Sequence, residues 1–506
     1  MIRLFNVHFP SRTVLLAGGE ALVLVLSFLL GIVFCLGTDS FHLLSQRQGL
    51  YKLVGVVAAM QFSIYCFDLY DRQRVSSRGE IHFRLVVIVG ILSLLLAGVG
   101  FAFPGFLPDR GVFVAGLVIA PISLTSWRAG YTWLLHRHPS RQRVYVLGDG
   151  EGSRRLVEAI RTQDELGMEL VGWTRELESH VNPGTVGEKL GALAQSGAVD
   201  PLAVALLVEA TETREDSAKE LVAWTRELES YVNRDTVGER LLALARRGAV
   251  DQVVVALQDT RMPVRALLEL RLRGIRVEDC TSVLEKISGK IEVEELHPSW
   301  LVFSKGFRLN SAAVLFGRAV SLLTSLVLLL LLLPLVPLVV LAVMLSSRGP
   351  VFFRQTRVGR DGTTFSCYKF RTMCADAESH TGPTWTSDKD ERITPLGRWL
   401  RGCHLDEIPQ LWNVLRGDMN LCGPRPERPE FVEWLGREIP YYDLRHAVRP
   451  GITGWAQVNY PYGNTVEDAK EKLSYELFYI KNLSVGLDIV ILLRTIKTVL
   501  LRRGAK

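Results

Sequence analysis

The sequence predicts three parts of different fold class: a membrane α-helical bundle at 1–139, a Rossmann-like α/β module at 140–305, and a mostly α-helical monotopic domain that enters the membrane through a re-entrant helix. Three observations predict this order. Four apolar runs come first, short strands alternating with helices follow, and a long uncharged run broken by proline comes last. The mean hydropathy of +0.19 is too apolar for a wholly soluble chain of 506 residues.

The four apolar runs cover 14–37, 50–67, 84–104 and 111–134, and each is near the roughly 20 residues that cross a bilayer. Arginines concentrate between the second and third runs and after the fourth. The positive-inside rule therefore places both ends of the bundle in the cytoplasm. We predict no charged residue deep in these spans, which argues against a transport pathway.

A soluble α/β pattern begins near 140. Residues 144–147 have the composition of a buried strand, 148–152 that of a glycine-rich turn, and 154–161 that of a helix. The pattern is similar to the start of a dinucleotide-binding unit, but its third glycine comes one residue early and Trp173 stands where an acid would bind a ribose. Nucleotide binding and a regulatory or structural role therefore both stay open.

An internal duplication lies within this module. Residues 173–206 recur at 224–257, at an offset of 51, with 24 of 34 positions identical. Two copies are too few for a solenoid. We predict that each copy forms a helix and then a strand, and we attach no chemistry to it.

The stretch 306–348 contains 29 uncharged residues between Arg318 and Arg348, interrupted by Pro334 and Pro337. As a straight helix it would be long enough for a fifth span. However, basic residues flank both ends, so the positive-inside rule places both ends in the cytoplasm. Because Pro334 removes a backbone donor and clashes with the preceding turn, we predict a re-entrant helix that enters and leaves on one side.

Asp406 and Glu407 precede an apolar stripe at helical spacing, which predicts two acids in the first turn of a helix. An isolated pair there could simply complement the helix dipole. Here basic residues held by glycine and proline surround the pair in sequence, at 368–373, 423–426 and 449–455. Such placement suits donors held for phosphate oxygens.

These motifs resemble the bacterial sugar transferases, the monotopic polyprenyl-phosphate glycosyl-1-phosphate transferases, in the long form with a four-span bundle and a Rossmann-like domain. The resemblance is dense over 306–506, through 352–362, the Lys369-Phe370-Arg371 run, the acid pair and the Gly-Pro-Arg-Pro turn at 423–426. The chain departs from the family's pattern at several positions, namely Ser321, Leu333, Cys403, His404 and Asn420. How Ser321 and Leu333 affect the bend stays open.

The resemblance implies transfer of a sugar-1-phosphate from a nucleotide diphosphate sugar, expected to be a UDP-sugar, to polyprenyl (undecaprenyl) phosphate. This step initiates exopolysaccharide or O-antigen type glycan synthesis. Asp406 would form a phosphosugar-aspartate, and Glu407 would help to hold Mg²⁺. The residues expected to bind substrate phosphates are Lys369, Arg371, Arg401, Arg425 and Arg449, while Arg318 and Pro334 belong to the re-entrant helix.

The implied location is the cytoplasmic face of the bacterial inner membrane, for a catalytic domain at 349–506 that follows the re-entrant helix at 306–348. Arg354 and Arg357 could contact lipid headgroups instead of substrate. Residues 487–501 form a basic amphipathic pattern, which is typical of a helix that lies at the lipid headgroups or of one that packs on the protein. A homo-oligomer and the identity of the sugar stay open.

Composition and motif content argue against several other function classes. Seven cysteines without metal spacing and a net charge of +6 predict neither a disulfide framework nor a nucleic-acid partner. A processive glycosyltransferase would need an acceptor groove and an acidic metal motif that the sequence lacks. The alternative kept is a catalytically silent membrane scaffold or sensor of a polysaccharide assembly complex.

Overall fold

The structure is a computed structural model of the full chain. It describes residues 2–4, 6–36, 47–70, 78–102, 110–137, 141–163, 166–174, 237–257, 263–296, 301, 304, 306–307, 311–374, 390–460, 463 and 465–501. Two compact units divide the chain. The first comprises 1–140, 399–405 and 484–506, and the second comprises 141–398 and 406–483.

The elements are numbered in chain order. The N-terminal part contains β1 Ile2–Leu4, β2 Val7–Phe9, α1 Ser11–Leu36, α2 Arg47–Cys66, α3 Arg78–Ala102 and α4 Arg110–Arg137. The middle part contains β3 Gln142–Leu147, α5 Glu151–Thr162, β4 Met168–Thr174, α6 237–246, β5 Gln252–Val255, α7 Val264–Leu272, β6 Arg276–Asp279 and α8 Cys280–Ser288. The C-terminal part contains α9 Ser311–Leu332, α10 Val336–Ser346, β7 Phe352–Val358, β8 Thr364–Phe370, α11 Pro395–Gly402, α12 Gln410–Arg416, β9 Asn420–Cys422, α13 Pro429–Glu438, β10 Gly451–Thr453, α14 Trp455–Asn459, α15 Val466–Lys481 and α16 Val485–Leu500.

Four helices in the described part of the chain are long and apolar enough to cross a membrane: Ser11–Cys35, Phe83–Gly100, Gly111–Leu135 and Ser311–Leu332. Three of the four predicted N-terminal spans are therefore confirmed by length and composition. The second is shorter, because its apolar helix covers only Leu50–Cys66. The helices pack through a common core that includes Leu24, Phe28, Met60 and Leu124.

The prediction that no charge lies deep in a span is wrong. Glu20, in α1, is fully buried, and its Oε1 accepts a hydrogen bond from Nε of Arg128 in α4 at 2.5 Å. The Tyr70 hydroxyl donates to the other carboxylate oxygen at 2.5 Å. An ion pair of this kind joins two helices because neither charge can be left alone in an apolar interior.

Helix α16 packs within the first unit. Lys497 of α16 forms an ion pair with Asp68, after α2, and lies 4.7 Å from the centroid of the Tyr65 ring. Of the two alternatives for this helix, these contacts favour packing on the protein. Its exposed leucines, such as Leu493 and Leu500, still leave one apolar face uncovered by the chain.

The middle module is built on a four-stranded parallel sheet in the order β4-β3-β5-β6. The predicted strand, turn, helix and strand over 144–173 are all present, and the second copy of the duplication forms α6 and β5 as predicted. Most of the first copy lies outside the described residues. Trp173 donates its indole N–H to the Gly148 carbonyl at 2.7 Å, so its side chain packs on the glycine-rich turn. Nucleotide binding and a regulatory or structural role of this module both stay open.

Helices α9 and α10 are separated by a turn at 333–335, where the sequence places Pro334. The Leu335 amide donates to the Leu332 carbonyl at 2.9 Å, which is a tighter turn than the α-helix makes. The predicted break is therefore present. Its physical cause is the proline ring, which cannot continue the helical hydrogen bonding.

Candidate active site

Strands β7 and β8 form an antiparallel pair, and Lys369 is the second-last residue of β8. Fully buried Asn413, in α12, fixes this hairpin to the helix. Its Nδ2 donates to the Ser366 carbonyl at 2.8 Å, and its Oδ1 accepts the Tyr368 amide at 3.1 Å. Because both hydrogen bonds end on the backbone of β8, they fix the position of β8, and with it Lys369, relative to α12.

Asp406 and Glu407 lie in a single 3₁₀ turn, Leu405–Glu407, which precedes α12. The sequence predicted that they form the first turn of that helix, and this is a correction. Pro409 takes the N-cap position of α12, where its missing N–H costs nothing. The two carboxylates therefore lie before the helix, and Asp406 is 6% exposed.

Glu407 binds two of the predicted cations. Its Oε1 accepts from Nζ of Lys369 at 2.6 Å and from Nη2 of Arg425 at 2.8 Å. Burial by itself would raise the pKa of Glu407, but the charges of Arg425 and Lys369 outweigh burial and hold that pKa well below its ordinary value. The carboxylate is therefore ionised, and it binds both cations at the residue that follows Asp406.

The loop that carries Arg425 is bound to the parallel pair β9-β10. The Gly423 amide donates to the Thr453 carbonyl at 2.9 Å, and the Gly451 amide donates to the Pro424 carbonyl at 2.8 Å. A Cβ on Gly423 would lie 2.5 Å from the Arg449 carbonyl oxygen, so no larger residue fits without a shift of the backbone. The glycine of the Gly-Pro-Arg-Pro turn therefore allows the loop that carries Arg425 to lie directly against the segment that contains Arg449.

Two other predicted phosphate ligands, Arg371 and Arg449, bind elsewhere than at the acid pair Asp406 and Glu407. Arg371 is 7% exposed, and its Nη atoms donate to the carbonyls of Val343, Ser347 and Pro350, at the end of α10. Arg449 donates from Nε to the Gly417 carbonyl at 3.1 Å, at the end of α12 opposite to the acids. Both guanidinium groups serve free carbonyls that helix ends leave without partners.

Arg401 lies in the last turn of α11, and its carbonyl accepts the His404 amide at 3.0 Å. Its role as a phosphate ligand stays a prediction. Arg357 was given a lipid-headgroup alternative, but its Nη1 donates to the Pro426 carbonyl at 2.9 Å, beside the Arg425 loop. Sequence spacing gave no signal for this contact, because β7 and the loop are 69 residues apart.

The acids could take part in a metal site only together with other ligands. Within the described ranges, no group of three or more His, Cys, Asp or Glu residues lies close enough to hold a metal ion. Mg²⁺, however, is commonly bound by one or two carboxylates with water and substrate phosphate oxygens. Both bonds to Glu407 fall on Oε1, and Oε2 takes part in neither. The residues present therefore fit Mg²⁺ that is bound along with a phosphate substrate.

His446 is a further titratable group close to the Arg425 loop, and sequence reasoning did not single it out. Burial, followed by the charge of Arg445, lowers the pKa of His446 from 6.5 to about 4. The folded chain therefore binds this proton more weakly than the unfolded chain. The stability that His446 contributes is complete above pH 6.5 and is lost as the pH falls through the window from 6.5 to about 4.

We expect His446→Asn to flatten this acid dependence, because the amide does not titrate. The melting temperature of the full chain in nanodiscs should fall by roughly 1–2 °C more in the parent than in the variant between pH 7 and pH 5, corresponding to about 1 kcal/mol. An equal fall in both proteins would contradict the assignment of a neutral, buried His446.

Comparisons with known proteins were made for the whole chain. A family model described as bacterial sugar transferase matches residues 312–502. The chain is 30% identical over 456 residues to the UDP-glucose:undecaprenyl-phosphate glucose-1-phosphate transferase of Escherichia coli (strain K12), and the match covers 88% of each protein.

Two further relatives match over a shorter range. The UDP-N-acetylgalactosamine-undecaprenyl-phosphate N-acetylgalactosaminephosphotransferase of Aeromonas hydrophila is 40% identical over 273 residues, which is 53% of this chain and 63% of the relative. The undecaprenyl-phosphate glucose phosphotransferase of Komagataeibacter xylinus is 38% identical over 279 residues, 54% of this chain and 52% of the relative. The chain thus spans between half and two thirds of these two relatives, whose names differ in the sugar.

Proposed function

The chain belongs to the bacterial sugar transferase family, and we propose that it transfers a sugar-1-phosphate from a UDP-sugar to undecaprenyl phosphate. The observation that carries the proposal is the ionised Glu407, which directly follows Asp406 in the 3₁₀ turn and binds both Lys369 and Arg425. Two fixed cations beside a second carboxylate suit a reaction in which an oxygen attacks a phosphate and negative charge develops.

The reaction proceeds in two balanced steps. A carboxylate oxygen of Asp406 attacks the phosphorus that carries the sugar, an O–P bond forms, and the bond to the bridging oxygen breaks. The nucleoside monophosphate leaves with that oxygen and its electron pair. A phosphate oxygen of undecaprenyl phosphate then attacks the same phosphorus, and the aspartyl bond breaks to restore the carboxylate.

Lys369 and Arg425 neutralise the phosphate oxygens during both steps. Because Glu407 already holds them in position, little reorganisation is needed when charge develops. Glu407, with 11% of its side chain exposed, would help to hold Mg²⁺ together with the donor's phosphates. When bound, Mg²⁺ supplies further neutralisation of the phosphate charge and orients the leaving group.

The contacts of α9 and α10 support the re-entrant arrangement. Near the start of the uncharged run, Arg318 donates to the Val414 carbonyl at 2.6 Å. Near its end, the Ser347 carbonyl accepts from Arg371 at 2.6 Å, directly after β8. Since β8 and α12 are themselves hydrogen-bonded, both ends of the run attach to one small layer of the protein. A straight helix of 29 residues would separate those ends by about 44 Å.

Ser321, which replaces the family's aspartate, also contributes here. Its Oγ accepts the Leu421 amide at 3.3 Å, so the substituted residue still links α9 to β9. The charge distribution favours the cytoplasmic face of the inner membrane for this catalytic part, because arginines flank both ends of the run. Nucleotide sugars are water-borne, and the acceptor lipid is confined to the bilayer, so the interface is where they meet.

The direct test is release of nucleoside monophosphate. Membranes that carry the full chain are supplied with undecaprenyl phosphate and, one at a time, UDP-glucose, UDP-galactose or UDP-N-acetylgalactosamine. We expect UMP and a lipid-linked sugar with at least one donor. If no donor gives either product, the chain is a silent scaffold and the proposal is wrong.

We expect Glu407→Gln to weaken the response to Mg²⁺. The amide keeps the shape of the side chain but removes the charge. Loss of a residue that only orients a metal ligand typically costs about 10–100-fold in metal affinity, so loss of a charged ligand should cost at least as much. The Mg²⁺ concentration for half-maximal UMP release should rise by at least that factor. An unchanged Mg²⁺ titration would show that Glu407 does not help to hold the metal.

A further inference from the structure

A buried ion pair in the second unit connects a 3₁₀ helix to α15. Arg445, in the 3₁₀ helix Tyr442–Ala447, and Glu476, in α15, each have 5% of the side chain exposed. Arg445 donates from Nε at 2.9 Å and from Nη2 at 2.8 Å to the two carboxylate oxygens, and from Nη1 to the Tyr442 hydroxyl at 2.8 Å. Burial of two charges is costly, and a pair of apolar residues of similar volume is often equally stable. A contribution to stability alone therefore does not explain why charged residues occupy these two buried positions.

The pair reaches the active site through the backbone. Nη2 of Arg445 also donates to the Arg425 carbonyl at 2.8 Å. The three neighbouring carbonyls of the loop are held as well: Pro424 by the Gly451 amide, Pro426 by Arg357 and Glu427 by the Val358 amide. Pro424 and Pro426 have no N–H, so donors from outside the loop must fix this backbone.

A fixed backbone at Arg425 also fixes the position of the Arg425 side chain, which binds Glu407. Its guanidinium meets Glu407 at 2.8 Å, and an error of about 1 Å in such a contact can reduce a rate by roughly 100-fold. Glu476 in turn orients Arg445, since it accepts two of its N–H groups. This series of contacts leads from α15, through Arg445, to the Arg425 side chain that binds Glu407.

We propose that Arg445 and Glu476 are positioning residues for the transfer reaction, which place Arg425 against Glu407 without touching substrate. The inference rests on the proposed function. It assigns a role to two residues that are 38 and 69 positions after Glu407 in the chain and that match no motif used above.

The test replaces the pair by apolar residues, Arg445→Met with Glu476→Leu, in the full chain in nanodiscs. The matched control is Lys481→Met with Glu285→Leu. That ion pair is on the same helix α15, has 9% and 10% of its side chains exposed, and ends on α8 of the middle module instead of on the Arg425 loop. Both double variants lose one buried ion pair, and only the first loses the donor to Arg425.

The readout is the first turnover, with donor and without acceptor lipid. The amplitude of UMP release counts competent molecules, and its rate constant reports the chemistry. We expect the Arg445/Glu476 variant to keep the amplitude while its rate constant falls about 10–100-fold, and the control to keep both. A rate constant equal to that of the control, or a fall in amplitude alone, would show a merely structural pair and overturn the proposal.

If the double variant does not fold, Arg445→Lys decides the matter. An ammonium keeps the charge but cannot reproduce the planar fork that serves Glu476 and the Arg425 carbonyl together. We expect a rate constant at least about 5-fold below the parent at unchanged amplitude, and a parental rate would overturn the proposal. Failure of the proposed function would look different, since the parent itself would then release no UMP.

Discussion

Asp406→Asn should abolish transfer, with UMP release in membranes falling by at least about 1,000-fold. The amide nitrogen and oxygen keep the size of the side chain, but neither atom has the negative charge that makes a carboxylate a nucleophile. Because the change is nearly isosteric at a position 6% exposed, the fold should survive. The measurement is UMP release with the donor that the parent accepts, together with the melting temperature.

The matched control for this variant is Asp418→Asn. Asp418 also belongs to the catalytic part, with 18% of its side chain exposed, and accepts a hydrogen bond from Asn413 at 3.0 Å just after α12. Asp418 lies at the opposite end of α12 from Asp406. The rate of UMP release by Asp418→Asn should therefore stay within a few-fold of the parent. Turnover of Asp406→Asn close to that of the control would exclude Asp406 as the nucleophile.

Single cysteines at the two ends of the uncharged run should label from the same side of the membrane. Ser311 and Ser346 are exposed and mark the first residue of α9 and the last of α10. In a background without the exposed Cys35 and Cys374, Ser311→Cys and Ser346→Cys should react with an impermeant maleimide in inverted vesicles and stay unreactive in intact spheroplasts. We expect an all-or-none difference, because a bilayer excludes the reagent.

The control for sidedness is Ser45→Cys, between the first and second apolar runs of the sequence, where the charge distribution predicts the outer face. It should show the reverse pattern, with reaction in spheroplasts. Labelling of Ser311→Cys and Ser346→Cys from opposite sides would make 311–346 a fifth span and remove the structural basis for a re-entrant helix. The shared attachment of Arg318 and Arg371 to the layer of β8 and α12 would then need another explanation.

Local patterns predicted the elements well. The strand at 144–147, the following helix and the break at Pro334 depend on periodicity and on one missing N–H, which are properties of neighbouring residues. The resemblance likewise singled out Lys369 and Arg425 as residues for the substrate phosphates, and in the fold both bind Glu407. These residues could be found because each lies within a short, distinctive motif.

The partners of the arginines could not be predicted in the same way. Arg371 lies two residues after Lys369, yet its donors serve carbonyls near the end of α10. Whether a guanidinium binds a substrate phosphate or a helix end depends on which carbonyls the tertiary fold leaves without partners, and sequence spacing does not encode that. The same reason applies to Arg449 and Arg357.

Buried ion pairs did leave a trace in the sequence. Glu20 interrupts an apolar run in α1, and Glu476 stands next to the apolar residues Leu477 and Phe478 in α15. A lone acid inside an apolar run predicts a buried partner, because an uncompensated charge in such a place is costly. The sequence does not tell which cation it meets, and Arg128 and Arg445 were identified only from the fold.

Mass spectrometry of the first turnover tests the central claim most directly. The full chain is incubated with the accepted UDP-sugar without acceptor lipid, quenched in acid and digested. The account predicts that one phosphosugar mass is added to the peptide that contains Asp406, that the adduct disappears when undecaprenyl phosphate is supplied, and that Asp406→Asn never forms it. An adduct on another residue, or UMP release matched by lipid-linked product with no adduct at all, would contradict it.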